Sequence, residues 1–557
     1  MTDEVINIDS MPIEIDDNYN INNVIPTLRK SQRLADKKMN QAYAAKSKGN
    51  LNIRRASQID ATNTKSALQI EFETLLEKET FFPVHRKDLT QEQLSRNISG
   101  FTFLKKKLKV DGKLDKWKAR FVAGGDRVDT EGLGPLHSYT VQLATIFLLF
   151  SLAAQFNWKV SNSDVTAAYL NTKLPTEQQI PMILGPEETN IIISIRPHWS
   201  QYVLPKGTMQ VLVIGGLYGL PQSALLWYNA LVQVFLDLGY CATDTDKACF
   251  VKYSNSYVSV IVIHVDDILH FYNDKAHDSQ NKLQQTLTRH FGKLTTNETD
   301  KGLYLGLEYE FNRQNKSVEL AMTKYTNKLL QDFNVQRDRY SPCSETFTNI
   351  DSDSPRCNQN DFASIVMTIY YMAMRTRPDL QVYCAFLASR IHECNDFDMK
   401  KVHHLLSYIK YTKQRSIILR SKGTRLQFSM DASYNIHQIT NRSYSGLHVT
   451  LGGDTLPKAG YGGPIVVLSH SQKLVASSSC EAEIIAVFVY HQLILSLRSL
   501  MSNLGFDQQE SSVIHQDNQS TIQIFTRGSQ DCGSTRHLQM RISRIYELYE
   551  DNIITFQ

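Results

Sequence analysis

The sequence predicts a mixed α/β protein of two or more domains, and three observations carry that expectation. Residues 257–272, YVSVIVIHVDDILHFY, set the carboxylate pair Asp266 and Asp267 between two apolar, β-prone runs, the pattern of buried strands. Leu68, Phe72, Leu75 and Leu76 recur at i, i+4, i+7 and i+8, which marks an amphipathic helix. From residue 426 onward, strand-like and helical patterns alternate over about 130 residues, a plausible size for one fold. A chain of 557 residues is long enough for more than one core.

The elements follow in chain order. Residues 1–60 are polar and split by charge: an acidic lead (Asp3 to Asp17) precedes a basic stretch running from Arg29 to Arg55. Too little apolar surface is present there for a core, so a disordered segment is expected, with order beginning near Ser66. Residues 101–122 read as a strand pair around the turn Asp111-Gly112, carrying Lys105, Lys106, Lys107, Lys109, Lys118 and Arg120. Lysines on a strand often only protect an edge, and a basic hairpin also grips phosphates. An apolar helix is expected over 143–158, then a short strand ending at Asp164, then a helix over 222–240. After the acid pair come a helix over 282–291, strands within 303–309 and helices over 325–333, 361–374 and 398–411. The last segment reads as a strand over 426–430 ending in Asp431, two further strands and a helix over 481–504 stopped by Gly505. A strand over 512–515, leading to Asp517, closes it.

Bulk numbers narrow the classes. Apolar content of 42% and charged content of 21% are ordinary for a soluble globular protein. The net charge is only +4, so any nucleic-acid surface must be local. The eight cysteines are scattered without a CxxC pair, which argues against a zinc module and for reduced thiols inside a cell. The N-terminus is no signal peptide, and no uninterrupted apolar run reaches membrane-spanning length. A soluble intracellular chain with no membrane partner is expected.

The acid pair needs an explanation. An unpaired buried carboxylate is costly, and hard oxygen ligands at a tight turn suit Mg²⁺. A hairpin whose Asp-Asp turn simply faces water explains the two residues equally well.

The motifs go further when taken together. KARFVA (from Lys118), SDVTAAYL, LYGLPQSALLWY (from Leu217), HVDDIL and YLGLEYEF (from Tyr304), in that order, resemble the reverse transcriptases of copia-type retrotransposons. TRPDL (from Thr376), SQKLVASSSCEAE (from Ser471) and QDNQS (from Gln516) resemble that family's connecting region and RNase H domain. Each block is weak alone; the ordered set, covering about residue 65 to the end, is specific.

The resemblance implies a right-hand polymerase with palm, fingers and thumb, followed by an RNase H-like mixed α/β domain. The implied division is a disordered 1–60, a reverse transcriptase over 61–335, a helical thumb and connection over 336–422, and the RNase H-like part over 423–557. Asp164, Asp266 and Asp267 would hold two Mg²⁺ ions, with Mn²⁺ as the alternative, for transfer of a nucleotide onto a primer 3′-hydroxyl. Tyr169 would lie under the incoming sugar and exclude a 2′-hydroxyl, and Gln222 would lie beside the 3′-hydroxyl. Lys118 and Arg120 would hold the triphosphate. Against these stand a core tyrosine, a helix-capping glutamine and surface cations. His264 replaces the family's usual tyrosine before Val-Asp-Asp, a change expected to alter rate or fidelity.

In the RNase H-like part, Asp431, Glu483 and Asp517 would be catalytic metal ligands, with Glu481 the alternative to Glu483. GSTRHLQMR puts Gln539 where the family has a fourth acid, and Asp531 and Glu547 are the nearest substitutes. The chain also stops before the family's usual tail, so weak or absent RNase H activity is expected. The implied partners are an RNA or DNA template with primer, dNTPs, and retroelement proteins such as Gag and integrase. The implied location is a cytoplasmic virus-like particle, or the nucleus. The competing expectation is a decayed or domesticated remnant that binds nucleic acid without polymerising.

Overall fold

The computed structural model describes residues 50–108, 114–130, 136–254, 257–452, 462–528 and 538–557. The charged lead before residue 50, the Asp111-Gly112 turn, Lys109 and Asp531 lie outside these residues. The architecture is mixed helix and sheet, organised around four sheets.

The acid pair belongs to a six-stranded antiparallel sheet. Its order is Leu294–Glu298, Lys159–Val165, Asp267–Tyr272, Tyr257–His264, Cys249–Ser254 and Cys241–Ala242. The apolar runs are continuous rather than alternating because helices cover both faces. Phe271 meets Phe150 of the helix Leu143–Gln155 edge-on at 5.5 Å. The neighbouring His270 faces the other way, with Nδ1 against Gln280 of the helix His277–Phe291. Its Nε2 lies 2.6 Å from Ser259 Oγ, which contacts the Tyr240 hydroxyl, while Gln280 donates to Ser161 Oγ. Burial holds this imidazole down to about 4. A second buried polar group, Asp246, accepts from Gln142 N at 2.9 Å and Thr145 Oγ1 at 2.7 Å. It thereby satisfies the first turn of the helix Leu143–Gln155, whose own cap residue supplies no side-chain bond.

A second six-stranded sheet contains Ile98–Leu108 paired with Leu114–Ala123, the predicted basic hairpin. Trp117, Ala119 and Phe121 are buried, and Lys118 and Arg120 alternate onto the other, half-buried face. The expected boundary of disorder at residue 60 is too late. Asn50–Leu51 pairs with Ile98–Leu108, and the helix Ile53–Ile59 buries Ala56 completely. Arg54 reaches Glu187 at 2.8 Å, and Trp117 Nε1 donates to Asp60. Ala56, with Leu51 and Ile53 packed against the same core and with capping and ionic partners, orders this segment.

The strands Lys301–Tyr304, Leu307–Asn312 and Ser317–Ala321 form a third sheet, completed from afar by Ile417–Leu419. The helices Gln359–Ala373, Gln381–Ser389 and Asp396–Tyr411 fill the intervening chain.

The last sheet is five-stranded, ordered Val466–Ser471, Tyr444–Gly452, Arg425–Ser433, Ser512–His515 and Ile554–Phe556. Its second strand is antiparallel to the first and third, and its last two run parallel to Arg425–Ser433. Asp431 therefore lies inside a strand rather than at its end, because pairing continues to Ser433↔Tyr444. The 25-residue helix Ser479–Asn503 is long and apolar enough to cross a membrane, as a buried core helix also is, which counting uninterrupted apolar runs overlooks. Ile484, Val487, Ile494 and Leu497 join the core. The first and last sheets share that core: Phe156 stacks on Phe506 at 5.2 Å, and Ser151 Oγ meets Ser421 Oγ at 2.6 Å.

Candidate active sites

The two strands that carry the acids are neighbours, and their register places Asp267 directly opposite Asp164. Directly opposed residues project to one face of the sheet. His264 opposes Asp267 from the other side, so its ring is on that face as well. Asp266 occupies the two-residue turn with Val265, and its carbonyl accepts from Val165 N at 3.2 Å.

The turn is strained. Val265 has φ of 61°, a conformation that suits glycine and costs a β-branched residue roughly 1–3 kcal/mol. The indole of Trp227 holds it there, Nε1 donating to Val265 O at 2.7 Å. Burial first, then the charges of Asp266 and Asp164, push the Asp267 carboxyl up to about 6. Three hard oxygen donors, two of which raise the proton affinity of the third, fit a divalent ion.

Tyr169 follows Ala167, which is left-handed at φ 56°. Its ring lies 5.4 Å from that of Tyr218, and the Arg120 guanidinium sits 3.9 Å over the opposite partner in this stack, the Tyr218 ring. Tyr218 is held by the loop that contains it. Its carbonyl accepts from Ala123 N at 2.8 Å. A Cβ at Gly219 (φ 91°) would stand 2.2 Å from Ala123 O, and one at Gly216 would stand 2.4 Å from Tyr169 O. Only glycine lets the loop wedge between the Tyr169 turn and the Arg120 strand. Burial pushes the Tyr218 hydroxyl up to about 12. Beneath the cations, burial also raises the Glu71 carboxyl, whose charge is partly offset by Phe121 N, Arg120 and Lys118.

Gln222 stands at the N-cap of the helix Ser223–Asp237, yet its side chain makes no capping bond. It is 4% exposed, and neither its amide oxygen nor its amide nitrogen has a partner. A buried amide left unpaired costs about 1–3 kcal/mol per group, so this residue is not explained by capping.

The second site gathers Asp431, Glu483 and Asp517, whose ligand atoms lie within 4.8 Å of one another. Among the described residues only this trio meets that spacing, which Asp164, Asp266 and Asp267 do not. Leu426, Phe428 and Met430 are buried while Asp431 is exposed, as alternation along a strand requires. Glu483 accepts from Ala432 N at 3.0 Å and Gln516 Nε2 at 3.1 Å. Burial, with Asp431 and Asp517 adding to it, pushes its carboxyl up to about 7. Glu481 is turned the other way, accepting from the backbone and hydroxyl of Ser477. Gln539 is exposed at the start of the helix Gln539–Glu550, and Glu547 pairs with Arg544 at 3.1 Å. Neither completes the trio.

Sequence reasoning missed Tyr218, Trp227, Glu71 and Gln516. Tyr218 and Trp227 lie inside a recognised block, where an aromatic looks like any core residue.

Residues 93–344, somewhat under half of the chain, match a family model described as reverse transcriptase (RNA-dependent DNA polymerase). Reverse transcriptase domains generally depend on a divalent metal. The chain is similar to Pol polyproteins of copia-type retrotransposons. It is 25% identical over 460 residues to the retrovirus-related Pol polyprotein from transposon TNT 1-94 of Nicotiana tabacum, covering 80% of this chain and 32% of that one. To the Pol polyprotein from transposon RE2 of Arabidopsis thaliana it is 25% identical over 430 residues, with 74% and 27% covered. The transposon Ty1-NL2 Gag-Pol polyprotein of Saccharomyces cerevisiae is 25% identical over 458 residues, with 78% and 24% covered. The chain thus spans between a quarter and a third of these polyproteins. A foamy viral protease-reverse transcriptase solved with double-stranded DNA aligns at a TM-score of 0.49 and 14% identity, covering 89% of this chain and 69% of that one.

Proposed function

We propose that the chain is an RNA-directed DNA polymerase that transfers nucleotides from dNTPs to a primer 3′-hydroxyl on an RNA or DNA template. The observation that carries this reading is the register of Asp267 opposite Asp164 with Asp266 on the adjoining turn, inside the stretch that matches the reverse transcriptase family. Divalent ions held by these three carboxylates would supply a more acidic primer hydroxyl and charge neutralisation at the triphosphate. Arg120, with a planar fork, and Lys118 bind the triphosphate. The Tyr169 ring supports the sugar and blocks a 2′-hydroxyl. Gln222 gives its unpartnered amide to the nucleotide's 3′-hydroxyl, which would satisfy a buried donor and acceptor together.

The second trio supports an attached ribonuclease H of low activity. Asp431, Glu483 and Asp517 offer three carboxylates, and Gln539 offers a neutral amide where a fourth would complete a two-ion site. His264 and Gln539 are the observations that favour the rival reading, a remnant that binds nucleic acid without polymerising.

The test is dTTP incorporation on poly(rA)/oligo(dT) with Mg²⁺ or Mn²⁺, beside Asp266→Asn. Incorporation that the substitution abolishes is the expected result. A folded protein that binds the duplex and incorporates nothing would establish the remnant reading instead.

A further inference from the structure

A concave basic surface lies apart from both acid clusters, and none of their residues lines it. On the helix Asp396–Tyr411, Lys400, His403, His404 and Ser407 fall at i, i+3, i+4 and i+7, hence on one face. Facing them is the chain over 335–349, which brings Arg337 and Arg339. Hydrogen bonds tie this chain to the helix at both ends. Arg339 N donates to Ser407 O at 3.2 Å, Lys410 Nζ to Gln336 O at 2.7 Å, and Lys401 Nζ to Asn349 O at 2.6 Å. His404 Nε2 sits 3.1 Å from Ser341 O. Between the two walls is a cavity of about 380 Å³, within the usual size range of ligand pockets.

No carboxylate lines that cavity. Of the acids adjoining it in sequence, Asp338 pairs with Lys410 and Asp398 with Arg390 and the lining Lys401, while Asp396 and Glu345 are exposed outside the lining. Among the described residues, no ion pair engages Arg337, Arg339 or Lys400. The crowding is felt locally: burial first, with Arg339 adding to it, lowers the proton affinity of His404. A chain of net charge +4 has few cations in excess, so their convergence in one cavity with serine and threonine hydroxyls points to a ligand carrying several negative charges.

We infer that this cavity binds adjacent phosphate groups, with Arg337 and Arg339 as planar forks and Lys400 as a point charge. Phosphates so spaced are presented by a nucleic-acid backbone or by a free polyphosphate. The inference does not depend on the polymerase reading, because its readout is binding.

Arg337, Arg339 and Lys400 are exposed, so an Arg337→Gln/Lys400→Gln double variant should fold, which circular dichroism checks. Wild type and variant are each titrated with inorganic tripolyphosphate, and separately with an RNA–DNA duplex across a salt series. Tripolyphosphate binding that weakens about tenfold or more in the variant, as expected when charge-assisted bonds are lost, supports a free polyphosphate. Duplex binding whose salt slope falls by about two, one phosphate for each cation removed, supports the backbone. Wild-type behaviour of the variant toward both ligands would overturn the inference.

Discussion

Replacing Tyr218 by leucine removes the ring that both Arg120 and Tyr169 contact while keeping an apolar side chain in the loop. The guanidinium lies 3.9 Å from the ring centroid, and the Tyr169 ring centroid lies 5.4 Å from it. Cation–π contacts range from about 0.5 kcal/mol in water to about 2 kcal/mol when desolvated, and Arg120 and Tyr218 are both half-buried. The aromatic pair adds about 0.5–1.5 kcal/mol. The two contacts share one ring and do not sum, so a loss of about 1–2 kcal/mol is expected, roughly 5- to 30-fold in an equilibrium constant. If Arg120 holds the triphosphate, that loss falls on KM for dTTP and leaves kcat nearly unchanged. If Tyr218 braces Tyr169, preference for dTTP over UTP falls in the same variant. Steady-state incorporation on a homopolymer primer–template measures both, and Tyr218→Phe, which keeps the ring, should retain most of the activity. Unchanged KM and unchanged sugar preference in Tyr218→Leu would refute the stack as a functional unit. Equal damage in Tyr218→Phe would refute the ring as its cause.

Two further outcomes can be checked. Burial holds His270 at about 4, below its ordinary 6.5, so the unfolded chain takes up the extra proton as pH falls. The stability tied to the neutral ring is therefore full above pH 6.5 and is lost down to about pH 4, by about 1.4 kcal/mol per unit and on the order of 3 kcal/mol in all. Urea unfolding in a pH series should show this slope, and His270→Gln should flatten it; an unaltered slope would remove His270 as its source. Glu483→Gln, in an Asp266→Asn background, removes a carboxylate that burial and two neighbouring acids disfavour. Its thermal midpoint in chelator at pH 8 should rise by a few degrees, consistent with relief of about 1 kcal/mol. Mn²⁺ should no longer raise it, and a midpoint that still climbs as in the parent would exclude the trio as a metal site.

The acids were legible from their local setting: Asp266 and Asp267 interrupt valines and isoleucines, and Asp431 takes the polar phase of the alternation with Leu426, Phe428 and Met430. Their partnership came through the resemblance alone, since nothing local says that the strand of Asp164 lies beside the strand of Asp267. The strands Ile180–Leu184 and Met209–Val213 were missed for a related reason. Being buried almost throughout, they lack the alternation that announces a strand. Short partners such as Ile417–Leu419 and Ile554–Phe556 exist only because a distant strand offers an edge. Gln222 entered through resemblance alone. Its unsatisfied amide is a property of the packed loop, and a glutamine before a helix otherwise reads as a cap. The basic cavity joins residues some sixty positions apart in sequence, from 337 to 400, and each lysine or arginine in it looks like an ordinary solvated charge.

Trp227 and Gln222 sit on consecutive turns at the start of one helix, and the indole of Trp227 grips the carbonyl of Val265. The hairpin bearing the acids is thus not free to choose its own shape; the helix sets it. Any tilt of that helix would move the amide at its tip and the carboxylates on the hairpin as a pair, so nucleotide seating and metal geometry are mechanically geared. Substituting Val265 by glycine would relieve the strain but keep the carbonyl that Trp227 grips, so the coupling should survive while the turn itself loses its side-chain packing.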